Sequence, residues 1–184
     1  MRVIGGSLGG RALTTPRGAA TRPTSDRVRE ALFSILGDVE GTTVLDLYAG
    51  TGALGIEALS RGASRATFVE NAKAALMALR DNLVKLGLVE RATVLAMRVE
   101  QVARKLAGEA TRFDLVFVDP PYEAVRDGRA ARALAQIVAA GLLAPDARIV
   151  VEHGGADSPP EVSGLARDET RRYGDAAISF YVVA

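Results

Sequence analysis

The sequence predicts a doubly wound α/β fold: a mainly parallel sheet that ends in a C-terminal antiparallel hairpin and carries a small N-terminal β-hairpin extension. Three observations predict it. From Thr43 onward, short β-branched or aromatic runs alternate with stretches of helical period. A glycine-rich turn follows the first run directly, in LDLYAGTGALG from Leu45 to Gly55. The last two runs are separated only by Gly174 and Asp175, which is hairpin spacing. With 184 residues, 48% hydrophobic and 24% charged, the chain reads as one globular domain with ample core. It has no cysteine, which excludes disulfides, cysteine-ligated zinc and cysteine nucleophiles and fits a reducing compartment. The start lacks an apolar signal core, and the longest mostly apolar run, Leu134 to Pro145, is too short to span a bilayer. A cytoplasmic protein without a membrane partner is expected.

The elements follow in order. Residues 2 to 13 pair short apolar runs with Gly5, Gly6, Gly9 and Gly10 and read as a small hairpin; Thr14 to Thr24, with Pro16, Gly18 and Pro23, reads as a loop. Residues 1–24 thus form an extension on a domain of residues 25–184. In TSDRVREALFSILG, the residues Val28, Ala31, Leu32, Ile35 and Leu36 share one helical face, Thr24, Ser25 and Asp26 are candidate caps, and Gly37 closes the helix. Arg27, Arg29 and Glu30 fall on its polar face. Strands are predicted at Thr43–Leu47, Arg65–Val69, Ala92–Met97, Asp114–Val118 and Arg148–Glu152, then at Ala166–Tyr173 and Ala177–Val183. The intervening helices are Ala53–Arg61, Ala72–Leu86, Gln101–Ala107 and Gly128–Ala140. His153, the sole histidine, is expected on the surface at a strand end.

Charge is uneven. Residues 1–36 carry Arg2, Arg11, Arg17, Arg22, Arg27 and Arg29 against Asp26 and Glu30, a local +4, in a chain whose formal net charge is only +1. A basic arm on a near-neutral body suits a phosphate-bearing partner, although arginine outnumbers lysine 20 to 3 throughout, so part of the arm's arginine reflects composition.

The glycine turn contains G-x-G-x-x-G at Gly50, Gly52 and Gly55, with Glu70 twenty residues after Gly50 at the end of the next strand. That spacing satisfies the dinucleotide fingerprint. Asp46, inside the first strand, argues against a pyrophosphate and suits a cofactor that carries cations, S-adenosylmethionine. Asp46 would hold its ammonium directly or through water, Tyr48, Ala49, Gly50 and Gly52 would form the turn against it, and Glu70 would accept from both ribose hydroxyls. Arg98, just past the third strand, is where contact with the adenine ring is expected.

The run FDLVFVDPPY, Phe113 to Tyr122, has the apolar continuity of a strand covered on both faces, and it stops at Pro120 and Pro121. This presents Asp119, the Pro120 carbonyl and Tyr122 at the carboxyl end of a strand, where ligands bind in open α/β sheets. An exocyclic base amine is a poor nucleophile because its lone pair is delocalised into the ring. Two acceptors on its N–H groups, Asp119 carboxylate and Pro120 carbonyl, favour the localised form, and Tyr122 can stack on an extruded base.

The stretches VIGGSLGGRAL, RPTSDRVREALFSIL, LDLYAGTGALGIEALSRGA, FVE, FDLVFVDPPY and RRYGDAAISFYV together resemble the RsmD family of 16S rRNA guanine-N2 methyltransferases. The resemblance covers nearly the whole chain. It implies a class I S-adenosylmethionine-dependent methyltransferase (Rossmann-like) fold that methylates one guanine amino group of 16S rRNA, within an assembled or assembling small ribosomal subunit. A monomer that needs no metal is expected. Carried over, Asp46, Gly50, Gly52 and Glu70 belong to the cofactor site, and Asp119, Pro120 and Tyr122 to the target-amine site. Similar methyltransferases place Asp or Asn where Arg98 stands, and an arginine cannot accept a hydrogen bond from the adenine amine. A DNA adenine-N6 methyltransferase can use the same DPPY, and a non-catalytic RNA-binding or ribosome-assembly factor needs only the basic arm.

Overall fold

A computed structural model describes residues 1–16 and 25–184 of the chain. Seven strands form one sheet in the order β3-β2-β1-β4-β5-β7-β6. They are β1 (Thr43–Leu47), β2 (Arg65–Glu70), β3 (Ala92–Ala96), β4 (Phe113–Val118), β5 (Leu143–Gly154), β6 (Leu165–Tyr173) and β7 (Ala176–Val183). Strands β1 to β5 pair in parallel, and β7 is antiparallel to both β5 and β6. The helices are α1 (Asp26–Leu36), α2 (Ala53–Ser60), α3 (Lys73–Lys85), α4 (Val102–Leu106), α5 (Tyr122–Arg126) and α6 (Arg129–Ala139).

The central strands β1 and β4 are buried on both faces, which is why they read as apolar runs, whereas the edge strands β3 and β6 are largely exposed. Successive residues of each strand point to opposite faces. Val44, Phe68, Leu115 and Phe117 therefore pack with α1, α2 and α3, whereas Leu45, Leu47, Val116 and Val118 pack with α4 and α6. Phe117 meets Phe33 of α1 with ring centroids 5.7 Å apart, and the Arg61 guanidinium lies over the Phe33 ring, 4.9 Å from its centroid. Burial of such a side chain contributes about 1.5–3 kcal/mol.

The predicted doubly wound fold is the observed one, with four local differences away from the site and one further helix, α5, at it. First, α1 is rotated by about one residue from its expected phase. Arg29, Leu32, Phe33 and Leu36 face inward, and Ile35 is exposed. The reason is Phe33, whose ring fills the space against Phe117. Ser25 caps the helix, its hydroxyl accepting from the Val28 N–H at 3.2 Å; the other candidate cap, Thr24, lies outside the described residues. Second, β5 starts at Leu143, five residues before the expected Arg148, because the Phe113 N–H donates to the Leu142 carbonyl at 2.9 Å and draws the chain into the sheet early. Pro145 is tolerated there because the β4–β5 register shifts between Phe113 and Leu115. Third, residues 2–13 form no continuous hairpin. A single bridge joins Arg2 to Ala12 around a 3-10 turn at Gly6–Leu8.

Fourth, His153 is interior, 1% exposed. Its Nε2 lies 2.8 Å from Ser179 Oγ, which lies 2.8 Å from Thr170 Oγ1, so a polar chain crosses β5, β7 and β6 inside the sheet. The polar residue reads as exposed in sequence, but here its two ring nitrogens are satisfied by the Gly154 carbonyl and Ser179.

Candidate active site

The carboxyl ends of β1 to β4 frame a cleft of about 260 Å³ lined by Tyr48, Glu70, Asn71, Arg98, Pro121 and Arg129, among others. The turn after β1 sets its floor. Gly52 adopts φ +83°, and a Cβ there would lie 2.4 Å from Leu79 Cδ1. Gly55 has ordinary backbone, but a Cβ would lie 2.4 Å from Phe68, so this third glycine lets α2 pack directly on β2. Close packing also brings the Gly55 N–H to 2.9 Å from Asp46 Oδ2.

Asp46 is 1% exposed and lies beneath the turn, outside the cleft wall. Burial pushes its pKa up to about 7, against the lowering effect of the Gly55 N–H and with a further upward push from the Glu70 charge. An anion held this reluctantly is stabilised by any cation placed over the turn. Glu70 stands at the end of β2 with its carboxylate oriented by three backbone amides. Oε2 accepts from Gly50 at 2.9 Å, and Oε1 from Asn71 and Ala72 at 2.7 Å each. A carboxylate offers about four lone-pair sites, so Glu70 keeps acceptor capacity toward a diol while it fixes the start of α3.

Tyr48 combines two departures from ordinary geometry. It is the one non-glycine among the described residues with positive φ, at 59°. Its hydroxyl is buried without a partner among the described residues, and burial, then Glu100, raises its pKa. Strain and an unsatisfied buried group on the same cleft residue mark a ligand-facing position. Ala49 is buried, its N–H donating to the Val69 carbonyl at 3.0 Å. Arg98 reaches the cleft rim, 63% exposed, and its Nε lies 3.5 Å from Glu100 Oε2.

Asp119 follows β4 and is tied to the last residue of β1, its N–H donating to the Leu47 carbonyl at 3.4 Å. Pro121 then caps α5, which opens at Tyr122, 36% exposed. This short helix was not legible beyond the prolines, which mark only where the strand stops. Arg126 at its end pairs with Asp157 of the β5–β6 loop at 3.0 Å. The structure thus brings Tyr48, Glu70, Arg98 and Pro121 around one cleft and sets Asp119, Pro120 and Tyr122 next to it on the same edge.

Residues 1–182 match the family described as Conserved hypothetical protein 95. The chain is 40% identical over 153 residues to Ribosomal RNA small subunit methyltransferase D of Escherichia coli, covering 83% of this chain and 74% of that one. It is 38% identical to YlbH of Bacillus subtilis over 98% of both chains. The solved structure of yhhF from Escherichia coli matches with a TM-score of 0.85 at 34% identity, covering 100% of this chain and 97% of that one. The chain belongs to the RsmD family.

The RsmD fold seen here is the class I methyltransferase sheet, and residues 1–16 are sealed onto it. Arg2 and Arg11 are exposed on this segment and Arg27 on α1, with Arg2 3.4 Å from Asp26. Arg29 corrects the expected basic face. It is 0% exposed, and its Nη2 donates to the Arg2 carbonyl at 2.5 Å and to Asp26 Oδ1 at 2.8 Å. Burial lowers its pKa, opposed by the charges of Asp26 and Glu57. It is an internal strut and offers RNA no guanidinium. Arg17 and Arg22 lie outside the described residues. Two further residues, Arg129 and Glu57, carry little signal in the sequence. Arg129 enters the cleft wall paired to Asp127 at 2.7 Å. Glu57 is a 1% exposed carboxylate on α2 that accepts from Ile4 N, Gly5 N and Arg61 Nε at 2.7–2.8 Å. A glutamate inside an apolar helix stretch, ALGIEALS, is the one signal that marked it.

Proposed function

We propose that this protein transfers the methyl group of S-adenosylmethionine to the exocyclic N2 of a guanine in 16S rRNA, in the assembled or assembling small ribosomal subunit. The observation that carries the reading is the pairing of two features on one sheet edge: a cleft with Glu70 in its wall and buried Asp46 beneath its glycine turn, suited to a cationic cofactor, and Asp119-Pro120-Pro121-Tyr122 beside it. The 40% identity to a small-subunit rRNA methyltransferase supports RNA over DNA as substrate.

Asp46, Glu70 and the turn at Tyr48–Gly52 suit the cofactor. The buried carboxylate of Asp46 faces its ammonium through the turn, Glu70 accepts from its ribose, and the sulfonium supplies an activated methyl. Tyr48 and Arg98 line the space for its adenine, where the Tyr48 hydroxyl can accept what Arg98 cannot. At the target, Asp119 carboxylate and Pro120 carbonyl accept from the two N–H groups of the guanine amine and localise its lone pair. Tyr122 stacks on the base. Holding donor and acceptor in line supplies most of the acceleration, and the aimed oxygens supply the rest as positive charge builds on nitrogen. In this reading Asp119 also takes the proton that nitrogen must lose. Arg2, Arg11 and Arg27, exposed on the 1–24 extension and α1, meet the RNA, with Arg17 and Arg22 of the extension adding positive charge by sequence, on a methyltransferase domain of residues 25–184.

The test is nucleoside mass spectrometry of small subunits that lack the modification, after incubation with the protein and isotope-labelled S-adenosylmethionine. Labelled N2-methylguanosine is expected with wild-type protein. Asp119→Ala is expected to lower its formation by about 10³-fold while S-adenosylhomocysteine affinity stays within about two-fold. Label in an adenine or in protein instead would overturn the reading.

A further inference from the structure

Residues 1–16 make five backbone hydrogen bonds among themselves, Val3 N to the Arg11 carbonyl at 2.9 Å among them, and further backbone polar groups are taken up by side chains of α1, α2 and α3. Most of these anchors end in the arm. Ser60 Oγ accepts from Leu8 N at 3.0 Å and donates to the Gly5 carbonyl at 2.5 Å, and Glu57 holds Ile4 and Gly5. Asn82 of α3 is different because its reach extends past the arm. Its Oδ1 accepts from Thr14 N at 2.7 Å, and its Nδ2 donates to the Thr14 carbonyl and to the Thr51 carbonyl, each at 3.1 Å. The side chain is 1% exposed.

Thr51 is the residue between Gly50 and Gly52 in the turn of the cofactor site. Both neighbours adopt positive φ, 56° and 83°, a region in which glycine has several accessible conformations and local sterics do not choose among them. The Thr51–Gly52 peptide is held at both ends: its N–H donates to the Ala49 carbonyl at 2.7 Å within the turn, and its carbonyl accepts from Asn82 Nδ2, the one hold that comes from outside the turn. Thr51 Oγ1 also lies 3.8 Å from Met1 Sδ, a second contact between turn and arm.

We infer that Asn82 is a positioning residue that fixes the cofactor turn and joins it to the arm, so that cofactor binding and RNA binding strengthen each other. The coupling half rests on the RNA-methyltransferase reading above; the positioning half does not. One amide group shares its donors between Thr14 and Thr51, so whatever orders the turn also orders Thr14, on the segment that carries exposed Arg2 and Arg11. Linkage makes the effect reciprocal.

The experiment uses full-length wild type, Asn82→Asp and Ser60→Ala, with S-adenosylhomocysteine and unmethylated small ribosomal subunits as probes. Asn82→Asp keeps the acceptor for Thr14 N and turns the shared donor into an acceptor that faces two carbonyls. Asn82→Ser removes the bonds without a buried charge and serves if the aspartate variant fails to fold. Ser60→Ala loosens the arm without touching the turn. Calorimetry on the free proteins is expected to show S-adenosylhomocysteine binding about ten-fold weaker in the Asn82 variant and within about two-fold of wild type in Ser60→Ala. Filter retention of subunits is expected to show binding at least about five-fold tighter when wild type is saturated with S-adenosylhomocysteine, a factor that falls to about one in the Asn82 variant and persists in Ser60→Ala. A purely structural Asn82 would lower the urea midpoint and leave that factor intact. Unchanged S-adenosylhomocysteine affinity in a folded Asn82 variant overturns the positioning role. A wild-type protein that binds S-adenosylhomocysteine but no subunits overturns the RNA reading and the coupling with it, while the calorimetric result still decides the role of Asn82 in the turn.

Discussion

The carboxyl edge of the sheet and the N-terminal arm are both held by buried polar groups, but in opposite directions. At the edge, backbone amides hold side chains: Gly55 N orients Asp46, and Gly50, Asn71 and Ala72 orient Glu70. In the arm, side chains hold backbone: Glu57 grips Ile4 and Gly5, Ser60 grips Leu8, and Asn82 grips Thr14. A backbone-held carboxylate is a rigid tool aimed outward. The arm keeps backbone hydrogen bonds of its own, such as Val3 N to the Arg11 carbonyl at 2.9 Å, and these side chains decide where it docks.

The largest expected effect breaks the arm. Glu57→Ala leaves Ile4 N, Gly5 N and Arg61 Nε without their acceptor and removes a charge opposite buried Arg29. It is expected to lower stability by about 3–5 kcal/mol, read from urea unfolding, and to speed hydrogen exchange first at Ile4 and Gly5. An unchanged midpoint would mean that the arm holds itself.

Asp46→Asn sharpens the other side. Its pKa rises from 3.8 to about 7 in the folded protein, so the folded state binds the proton more tightly than the unfolded chain does. The contribution of this group to stability is complete below about pH 4 and is lost as pH rises through about 7. Cofactor binding has the opposite sign, since the ammonium needs the ionised form, and is expected to strengthen over the same range. In Asp46→Asn the free protein is expected to be more stable than wild type at pH 8, by about 1–3 kcal/mol, with both pH dependences flattened. Thermal unfolding and calorimetry across pH 5 to 8 check both arms; parallel slopes for stability and binding would sink the assignment.

The smallest effects separate two arginines that share a helix. Arg27→Ala is expected to weaken subunit binding about two- to three-fold and to lower the salt slope by about one. Arg29→Met is expected to leave that slope alone and to change stability by no more than about 1 kcal/mol, because a buried ion pair contributes little over a packed apolar side chain. A reduced salt slope in Arg29→Met would return Arg29 to the RNA surface.

The same contrast explains what could be read from the residues alone. β1, β2 and β4 were legible because strands covered on both faces leave continuous apolar runs, and the turn was legible because close packing leaves glycines. The positions of Asp46, Glu70 and Asp119 follow from strand ends, which are local. The arm was not legible: the partners of Ile4, Gly5 and Thr14 lie more than 50 residues away, and nothing near Val3 announces Glu57 or Asn82. The inward turn of Arg29 likewise depends on Phe117, far along the chain. His153 escaped for the same reason, since its partner Ser179 arrives with another strand.

The placement of β7 between β5 and β6 has a consequence for how the chain is made. The ribosome delivers strands in sequence order, and β3-β2-β1-β4 can pair as soon as β4 has emerged. β5 then waits with one edge open through the synthesis of β6, because its neighbour on that side is the last strand in order. A nascent chain paused before Ala176 presents the bare edge of Ile149, Val150 and Val151, an invitation to pair with a second nascent chain. Of all seven strands, β7 therefore decides when this protein becomes safe to release.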